Sequence, residues 1–431
     1  MAGLSLYRGL TELGAPFIDM YMQRRLNNGK EDPDRITERR GIASRERPEG
    51  PLAWVHAASV GEAQSALSLI TKMLRARIDL HILITTGTVT SAKLLAERLP
   101  PRSFHQFVPV DRARWVQRFL DHWEPNMAVW IESEFWPNLI AQTTARNIPT
   151  VLANGRISRK SAANWRMLPG FIGNIVGAFR LCLTQTEEEA ERFRALGADP
   201  VKCVGNLKFS AAALPADEAE LAALTEQVGT RPHWLAASTH PGDEELVAEA
   251  HGILKEKYPG LLTIIVPRHP SRGQQVAKEV TAHGFHISRR AIGDPVSAAD
   301  DIHIADTLGE LGLFYRLSQI VFIGGSMARH GGHNPLEAAQ LDCAILHGPD
   351  MANFATVAQQ LDEADARTVI QDAPTLAHAV AGLLDDEQRR RSVSDAAAKV
   401  AQSNAAVVDS VIEELKPFLD ALPAGNSDAR A

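Results

Sequence analysis

From Trp54 onward, short apolar runs alternate with segments whose apolar residues recur at helical spacing. The runs Trp54–Ser59, Leu80–Thr86, Met127–Glu132, Thr150–Asn154, Leu181–Gln185 and Val201–Val204 predict strands. Glu62–Ala76, Ser91–Arg98 and Glu187–Leu196 predict helices between them. Such alternation means a parallel sheet covered by helices. At 210–232 the pattern breaks into an Ala/Glu-rich stretch, read as an interdomain connection with a short helix. It then restarts, with strands Trp234–Ser238, Leu261–Val266, His286–Ser288, Ile302–Ala305, Gln319–Ile323, Cys343–Leu346 and Thr368–Gln371. Helices are expected at Asp243–Lys257, Gln274–His283 and Thr375–Asp385, with closing helices within Glu387–Ala421. The reading is two doubly wound α/β domains, 48–209 and 233–425, with a cleft between them. Ligands of such sheets bind beyond the carboxyl ends of strands, so chemistry is sought there.

Residues 1–47 follow a different pattern, with Leu6, Leu10, Leu13, Phe17 and Tyr21 at helical spacing, interrupted by Arg8, Glu12, Pro16 and Asp19. No uncharged run approaches the roughly 20 residues a bilayer span needs. No apolar signal core precedes a small-residue cleavage site either. The stretch is an amphipathic helix, lying on a membrane face or docked on its own domain. We expect peripheral attachment rather than a span, because a span buries those charges at roughly 2.5–3.5 kcal/mol each near the bilayer centre.

Composition narrows the class. A chain of 431 residues with 45% hydrophobic and 23% charged content has the make-up of a soluble globular protein. Its net charge of -7 argues against coating nucleic acid. Cys182, Cys203 and Cys343 form no C-x-x-C pair, so buried, reduced thiols are expected.

The chemistry-bearing segments follow predicted strands. In QIVFIGGSMARHGGHNPLEAA a strand ends at Gly324-Gly325, and Asn334 and Pro335 open a helix. Such a start offers free N–H groups to an anion, and Glu337 is placed for a ribose hydroxyl pair. An ordinary β-α turn accounts for the same glycines. HAASVGE ends the first strand at Ser59, and Gly61 lets the backbone turn tightly, with Glu62 in the first helical turn. Glu62 either compensates the helix dipole or serves as general base on a sugar hydroxyl. TTGT offers Thr86, Gly87 and Thr88 to a sugar or anion, though N-capping explains one of them. ESEFWPN places Glu132 and Glu134 at a strand end, and NGRISRKS clusters Arg156 with Arg159 and Lys160. Lys208 of GNLKF, Arg268-His269 of PRHP and Gly309-Glu310-Leu311 of DTLGELGLFY complete the set. His330 and His333 flank a glycine pair, but no carboxylate or Cys spacing supports a metal site. No Walker A motif and no G-x-G-x-x-G is present.

In this order, HAASVGE, TTGT, ESEFWPN, NGRISRKS, GNLKF, AASTHPGDEE, PRHP, DTLGELGLFY, FIGGS and GGHNPLE resemble the Kdo (3-deoxy-D-manno-octulosonic acid) transferases of lipopolysaccharide biosynthesis. These are the CMP-Kdo:lipid A glycosyltransferases, and the resemblance spans about residues 50 to 355. It implies a B-type glycosyltransferase fold, two Rossmann-like domains facing a deep cleft. It further implies Glu62 as catalytic base, with Glu132 and Lys208 assisting. CMP contacts fall to Arg268, His269, Gly309, Glu310, Leu311, Asn334, Pro335, Leu336 and Glu337. Ser59, Gly61, Thr86, Gly87, Thr88 and Arg156 become candidates for the acceptor or donor sugar. Partners are CMP-Kdo, a lipid A precursor and the cytoplasmic face of the inner membrane, with no nucleic acid, metal or other cofactor expected. Two departures stand out: the N-terminal helix is more interrupted by charge than the family's usual anchor, and Pro241 and Asp243 stand where the family tends to carry Glu. The alternatives are another nucleotide-sugar transferase or epimerase of the same fold, and a non-enzymatic two-lobed binding protein.

Overall fold

The computed structural model describes residues 2–132, 134–209 and 213–425. Ser133 of ESEFWPN, the start of the expected connection and the NSDARA tail lie outside the described residues. The chain forms two compact units.

In the first unit α1 (Ala2–Leu13) and α2 (Ala15–Asn27) precede β1 (Leu52–His56), α3 (Val60–Ala76), β2 (His81–Thr86), α4 (Val89–Arg98), β3 (Ser103–Phe107) and α5 (Ala113–Trp123). Then come β4 (Met127–Ile131), α6 (Pro137–Ala145), β5 (Thr150–Gly155), α7 (Arg159–Arg166), α8 (Pro169–Val176), β6 (Leu181–Thr184), α9 (Glu187–Ala195) and β7 (Val201–Cys203). The strands pair parallel in the order β3-β2-β1-β4-β5-β6-β7. Alternate residues feed opposite cores: Ala53 and Val55 join Val129 and Ile131 on one face, while Leu52 and Trp54 join Trp130 on the other. A strand buried on both faces reads as a continuous apolar run, which is why the sequence displays these strands so plainly. Strand β3 was not expected. SFHQF has no apolar run, and long-range bonds hold it: Phe107 N donates to Glu38 at 2.8 Å, and Arg35 Nη2 donates to the His105 carbonyl at 2.9 Å.

In the second unit α10 (Glu218–Val228) leads into β8 (His233–Thr239), α11 (Asp243–Lys257), β9 (Leu262–Pro267), α12 (Gly273–Thr281), β10 (Ile287–Arg289) and β11 (Ile302–Ile304). Next are α13 (Leu311–Leu317), β12 (Ile320–Ile323), α14 (Pro335–Ala339), β13 (Ala344–His347), α15 (Ala355–Glu363), β14 (Arg367–Val369), α16 (Ala373–Asp385) and α17 (Glu387–Ala405). Its sheet order is β10-β11-β9-β8-β12-β13-β14, again all parallel. The order reverses between β1 and β4 in one sheet and between β8 and β12 in the other. A crevice opens at such reversals because the flanking connections leave in opposite directions.

Two expected boundaries change. The stretch read as a connection carries α10, which packs on α13 within the second unit. The last helix, α18 (Val407–Asp420), belongs to the first unit rather than the second. Its Val407, Val411, Leu415 and Leu419 are buried in the core beneath α3, where apolar surface was left for them. The cysteines are free, with Cys182 and Cys343 buried but Cys203 exposed, contrary to the expectation for all three.

The N-terminal stretch is a structural part of the first unit. Gly14 and Pro16 divide the expected single helix in two, and α1 packs against α5, α6 and α8. Tyr7 donates to Asp111 Oδ2 at 3.0 Å, and Arg112 pairs with Glu12 at 3.0 Å. Beyond α2, Glu31 is held by Arg25 at 2.6 Å, and the fully buried Glu38 by Arg35 at 2.8 Å. The opposite side of the same helices stays open: Leu6, Leu10, Leu13 (82% exposed), Phe17 (71%) and Met20 form an apolar stripe. The stretch is therefore docked on its own domain and still presents an uncovered apolar face. Among the described residues no helix is long and apolar enough to cross a membrane.

Asp111 makes this docking pH-sensitive. Its carboxylate accepts the first N–H groups of α6, Asn138 N at 3.0 Å and Leu139 N at 2.8 Å. Burial nevertheless pushes its pKa up to about 6. A carboxyl whose folded pKa is raised stabilises the fold fully below its unfolded value near 4, and that contribution is lost as pH rises through the folded value. In denaturant unfolding, wild type should therefore gain on Asp111→Asn by about 2 kcal/mol as pH falls from 7 to 4. A pH-independent difference would show that folding leaves the Asp111 pKa unshifted.

Candidate active site

In the first unit the candidate groups gather at the reversal between β1 and β4. After β1 the chain makes a short turn and Ser59 caps α3, its Oγ accepting from Glu62 N at 3.3 Å. The Glu62 carboxylate folds back on the same turn: Oε2 accepts Ala58 N–H at 2.7 Å and Oε1 accepts the Ser59 hydroxyl at 2.9 Å. Burial raises the Glu62 pKa, those two donors lower it, and the charges of Glu132 and Glu134 raise it again. The result is a carboxylate that is fixed in place and more basic than an exposed one.

Glu132 follows β4 at φ +63°, a left-handed conformation that costs a non-glycine residue about 1–3 kcal/mol. Its Oε1 lies 2.6 Å from Lys208 Nζ. Lys208 sits in the one-turn helix Leu207–Phe209, which Asn154 fixes by accepting Leu207 N at 2.9 Å. Asn154 is the penultimate residue of its own strand, at φ +57°. A Cβ on Gly61 would lie 3.9 Å from Lys208 Cε, so the lysine stem passes over the first turn of α3. Glu62, Glu132 and Lys208 thus meet, though well over a hundred residues separate the first from the last. Gly61 itself lies within α3 with no positive φ, so it is not the tight turn the sequence implied.

The other candidates in this unit divide. Thr86 is fully buried, its hydroxyl bound by His105 Nε2 at 2.9 Å and Ser91 Oγ at 2.7 Å, which makes it a structural residue. Thr88 caps α4, and with Gly87 it also lines a cavity beside β1. Arg156 is exposed, and Arg159 lies 3.6 Å from Glu188 on the surface.

The second unit has its own cluster at the β8–β12 reversal. A Cβ on Gly324 would stand 2.5 Å from the Ser238 carbonyl oxygen, so only glycine fits where the two strand ends meet. Gly325, at φ +68°, donates to Asp243 Oδ2 at 2.7 Å, and the same oxygen accepts His240 N at 2.9 Å. Asp243 thereby pins both strand-end loops. Above them His240 Nε2 lies 2.9 Å from His333 Nε2, and its ring stacks on His330 at 4.3 Å. Burial, then the nearby Arg268 charge, lowers the His333 pKa to about 4. Sequence reading noted His330 and His333 only as flanking a glycine pair and missed their grouping with His240, which comes from a separate loop. Their only signal is that each lies within a few residues of a strand end or a glycine turn.

Arg268 and His269 are exposed at the end of β9, with Arg268 N donating to the Thr239 carbonyl at 3.0 Å and the His269 ring 6.2 Å from that of His240. Asn334 caps α14 as expected, accepting Leu336 N at 3.2 Å, and its amide donates to Glu337 at 3.3 Å. Pro335 and Leu336 are buried as packing, and α14 has only 5 residues, too few for a strong dipole at its start. Gly309 takes φ +86° ahead of Leu311, the first residue of α13. The Glu310 carboxylate is committed to Arg290, at 2.6 and 2.7 Å, so a ligand there meets main chain rather than that side chain. Among the described residues no group of three or more His, Cys, Asp or Glu side chains is arranged to hold a metal ion.

Residues 34–211 match the family model described as 3-deoxy-D-manno-octulosonic-acid transferase (kdotransferase). The 3-deoxy-D-manno-octulosonic acid transferase of Rickettsia bellii is 33% identical over 417 residues, 96% of this chain and 99% of that one. The chain belongs to the Kdo transferase family. The Haemophilus influenzae enzyme of the same name is 32% identical over 397 residues, 90% of this chain and 92% of its own. Kdo transferases are glycosyltransferases, and this chain is an enzyme of that class. In three dimensions it is similar to a glycosyltransferase from Rickettsia africae, with TM-score 0.56 and 11% identity over 86% of this chain and 99% of the other. At that identity the likeness speaks of fold alone. With the two parallel seven-stranded sheets it makes the architecture the expected B-type glycosyltransferase fold.

Proposed function

We propose that this Kdo transferase moves Kdo from CMP-Kdo to a lipid A precursor in lipopolysaccharide biosynthesis, with inversion, at the cytoplasmic face of the inner membrane. The observation that carries the reading is the meeting of Glu62, Glu132 and Lys208 at one sheet reversal. Glu62 takes the proton of the acceptor hydroxyl as its oxygen bonds to the anomeric carbon of Kdo, and the bond to CMP breaks with its electron pair leaving on phosphate. Lys208, held by Glu132, supplies positive charge to the developing anion. In the second unit Arg268 and the main chain at Gly309 to Leu311 serve the CMP phosphate, with His269 beside them. Glu337, half-buried and steadied by Asn334, serves the ribose hydroxyls. A single phosphate in the donor needs less charge neutralisation than a diphosphate, so no metal is assigned to the step. Incubation with CMP-Kdo and the tetraacylated lipid A precursor, read by product mass, should show at least one added Kdo. An unchanged acceptor mass would overturn the reading.

Membrane attachment rests on the exposed stripe of α1 and α2. Such a stripe lies in the headgroup boundary while Glu12 and Asp19 stay paired with Arg112 and Arg40 on the domain itself. Leu10→Glu with Phe17→Glu should abolish co-sedimentation with vesicles while leaving unfolding unchanged, because both side chains are already exposed. Vesicle binding equal to wild type would refute attachment through this face.

A further inference from the structure

At the amino ends of β8 and β12, away from the strand ends that carry the histidine group, the second unit holds a cavity of about 350 Å³. Three arginines from three different elements line it: Arg231 just before β8, Arg316 in the last turn of α13 and Arg390 in α17. Among the described residues no carboxylate shares the lining. The rest of the unit treats its arginines differently. Arg272, Arg289, Arg290 and Arg367, the other half-buried ones, each meet a carboxylate at 2.5 to 3.0 Å. The half-buried Arg231 and Arg390 form no such pair among the described residues, and both face this cavity.

Neutral oxygens hold the three guanidiniums instead. Arg231 donates to the carbonyls of Gly260, Ser297, Leu261 and Asp300, at 2.8, 3.0, 3.1 and 2.5 Å. Arg316 Nη1 donates to the carbonyls of Leu214 and Gly312, at 2.6 and 2.8 Å. Arg390 donates through Nε to Gln319 Oε1 at 3.1 Å and through Nη1 to the Leu383 carbonyl at 2.7 Å. Such bonds fix a guanidinium in place and leave its charge uncancelled. The carboxylates whose charge reaches Arg231, Asp300 and Asp301, are themselves taken by Ser297 N at 2.7 Å and Lys255 Nζ at 2.5 Å. Glu387, on the helix of Arg390, pairs with Arg391. Both ring nitrogens of His233 are turned to carbonyls, those of Arg231 and Leu317, at 3.0 and 2.8 Å.

The cavity thus gathers fixed positive charge with nothing on the protein to meet it. Guanidinium forks match the oxygens of phosphate or carboxylate. Charge from two or more arginines exceeds what one carboxylate neutralises. A phosphate monoester, with a charge of about -1.5 to -2 and three accepting oxygens, matches it. Leu317 and Leu384 add an apolar side for the organic part of such a ligand.

We infer that this cavity is a binding site for a phosphate monoester, borne by a soluble metabolite or by a lipid headgroup, with Arg231, Arg316 and Arg390 as its anion contacts. It is separate from the proposed CMP contacts. Helix α13 has Leu311 of that set at its start, whereas Arg316 and Leu317 at its end line the cavity.

Amide exchange on the full chain tests it with two probes at constant ionic strength, glycerol 3-phosphate and phosphatidic acid in phosphatidylcholine vesicles. At least one should protect residues 231–233, 316–320 and 383–390, with no protection from glycerol or from phosphatidylcholine alone. Protection by glycerol 3-phosphate makes the ligand a soluble one, and protection by the vesicles alone makes it a headgroup. Arg390→Gln and Arg316→Gln should each weaken binding of the effective probe at least about tenfold, because a charge-assisted bond is lost. Arg389→Gln, an equal loss of charge at an exposed position of the same helix, should leave binding unchanged. Arg316 is itself exposed, so its variant keeps the test clear of any packing change at Arg390. Protection by neither probe would overturn the inference, as would equal losses in Arg389→Gln and Arg390→Gln. Glycerol 3-phosphate protecting only 309–311 and 334–337 would overturn it too, by placing the phosphate at the nucleotide contacts.

Discussion

Glu62→Gln is expected to keep the fold and CMP binding while losing transfer by at least about a hundredfold, the usual scale for a general base. The side chain has two jobs, closing the first turn of α3 through Ala58 and Ser59, and offering a basic oxygen. Glutamine keeps the shape and one accepting oxygen, so the helix start survives, and only the basicity disappears. The pH profile carries the sign. Glu62 works ionised, and burial with the charges of Glu132 and Glu134 raises its pKa. The rate should therefore fall as pH drops through a value above the ordinary carboxylate range. In Glu134→Gln one of the charges that raise that pKa is gone, and the acid limb should move to lower pH. Near wild-type turnover in Glu62→Gln would remove the base assignment, and an unmoved acid limb in Glu134→Gln would remove its electrostatic explanation.

The second large effect is structural. Gly324→Ala places a Cβ 2.5 Å from the Ser238 carbonyl oxygen and 2.7 Å from its carbon. Both are backbone, so no side chain can move aside, and Ser238 is itself held at φ +58°. We expect about 3 kcal/mol of destabilisation in the second unit, the upper end of what overpacking costs. CMP binding should be lost with it, since β8 and β12 must separate and Asp243 cannot then hold both loops. Gly309→Ala is the contrast: its φ of +86° is strained for alanine, but no heavy atom lies within 4 Å of the added carbon. It should cost about 1–2 kcal/mol. Chemical denaturation of both variants, followed by CMP titration, measures the difference. Equal small losses in the two would mean that the strand ends at Gly324 yield easily.

The apolar runs determined the two parallel sheets on their own, because strands buried on both faces carry that signal locally. The turn residues after them likewise marked where chemistry would sit, as at Ser59, which caps α3, and at Asn334, which caps α14. What escaped was whatever depends on distant partners. Strand β3 exists through Glu38 and Arg35, some seventy residues upstream, while its own SFHQF carries no strand pattern. The last helix has an apolar face that fits either core equally well as a pattern. Only the gap left beneath α3 assigned it to the first unit. Gly61 looked like a turn residue and proved helical, and Thr86 looked available and proved bound inside. The site shows the same division. Sequence order placed Glu62, Glu132 and Lys208 each after a strand, but the 2.6 Å contact between the last two depends on Asn154 holding Lys208's turn. The histidine group needed Asp243 to draw together loops that the chain keeps apart. Periodicity is written in neighbouring residues and can be read there, whereas packing and pairing are settled by residues that meet only once the chain has folded.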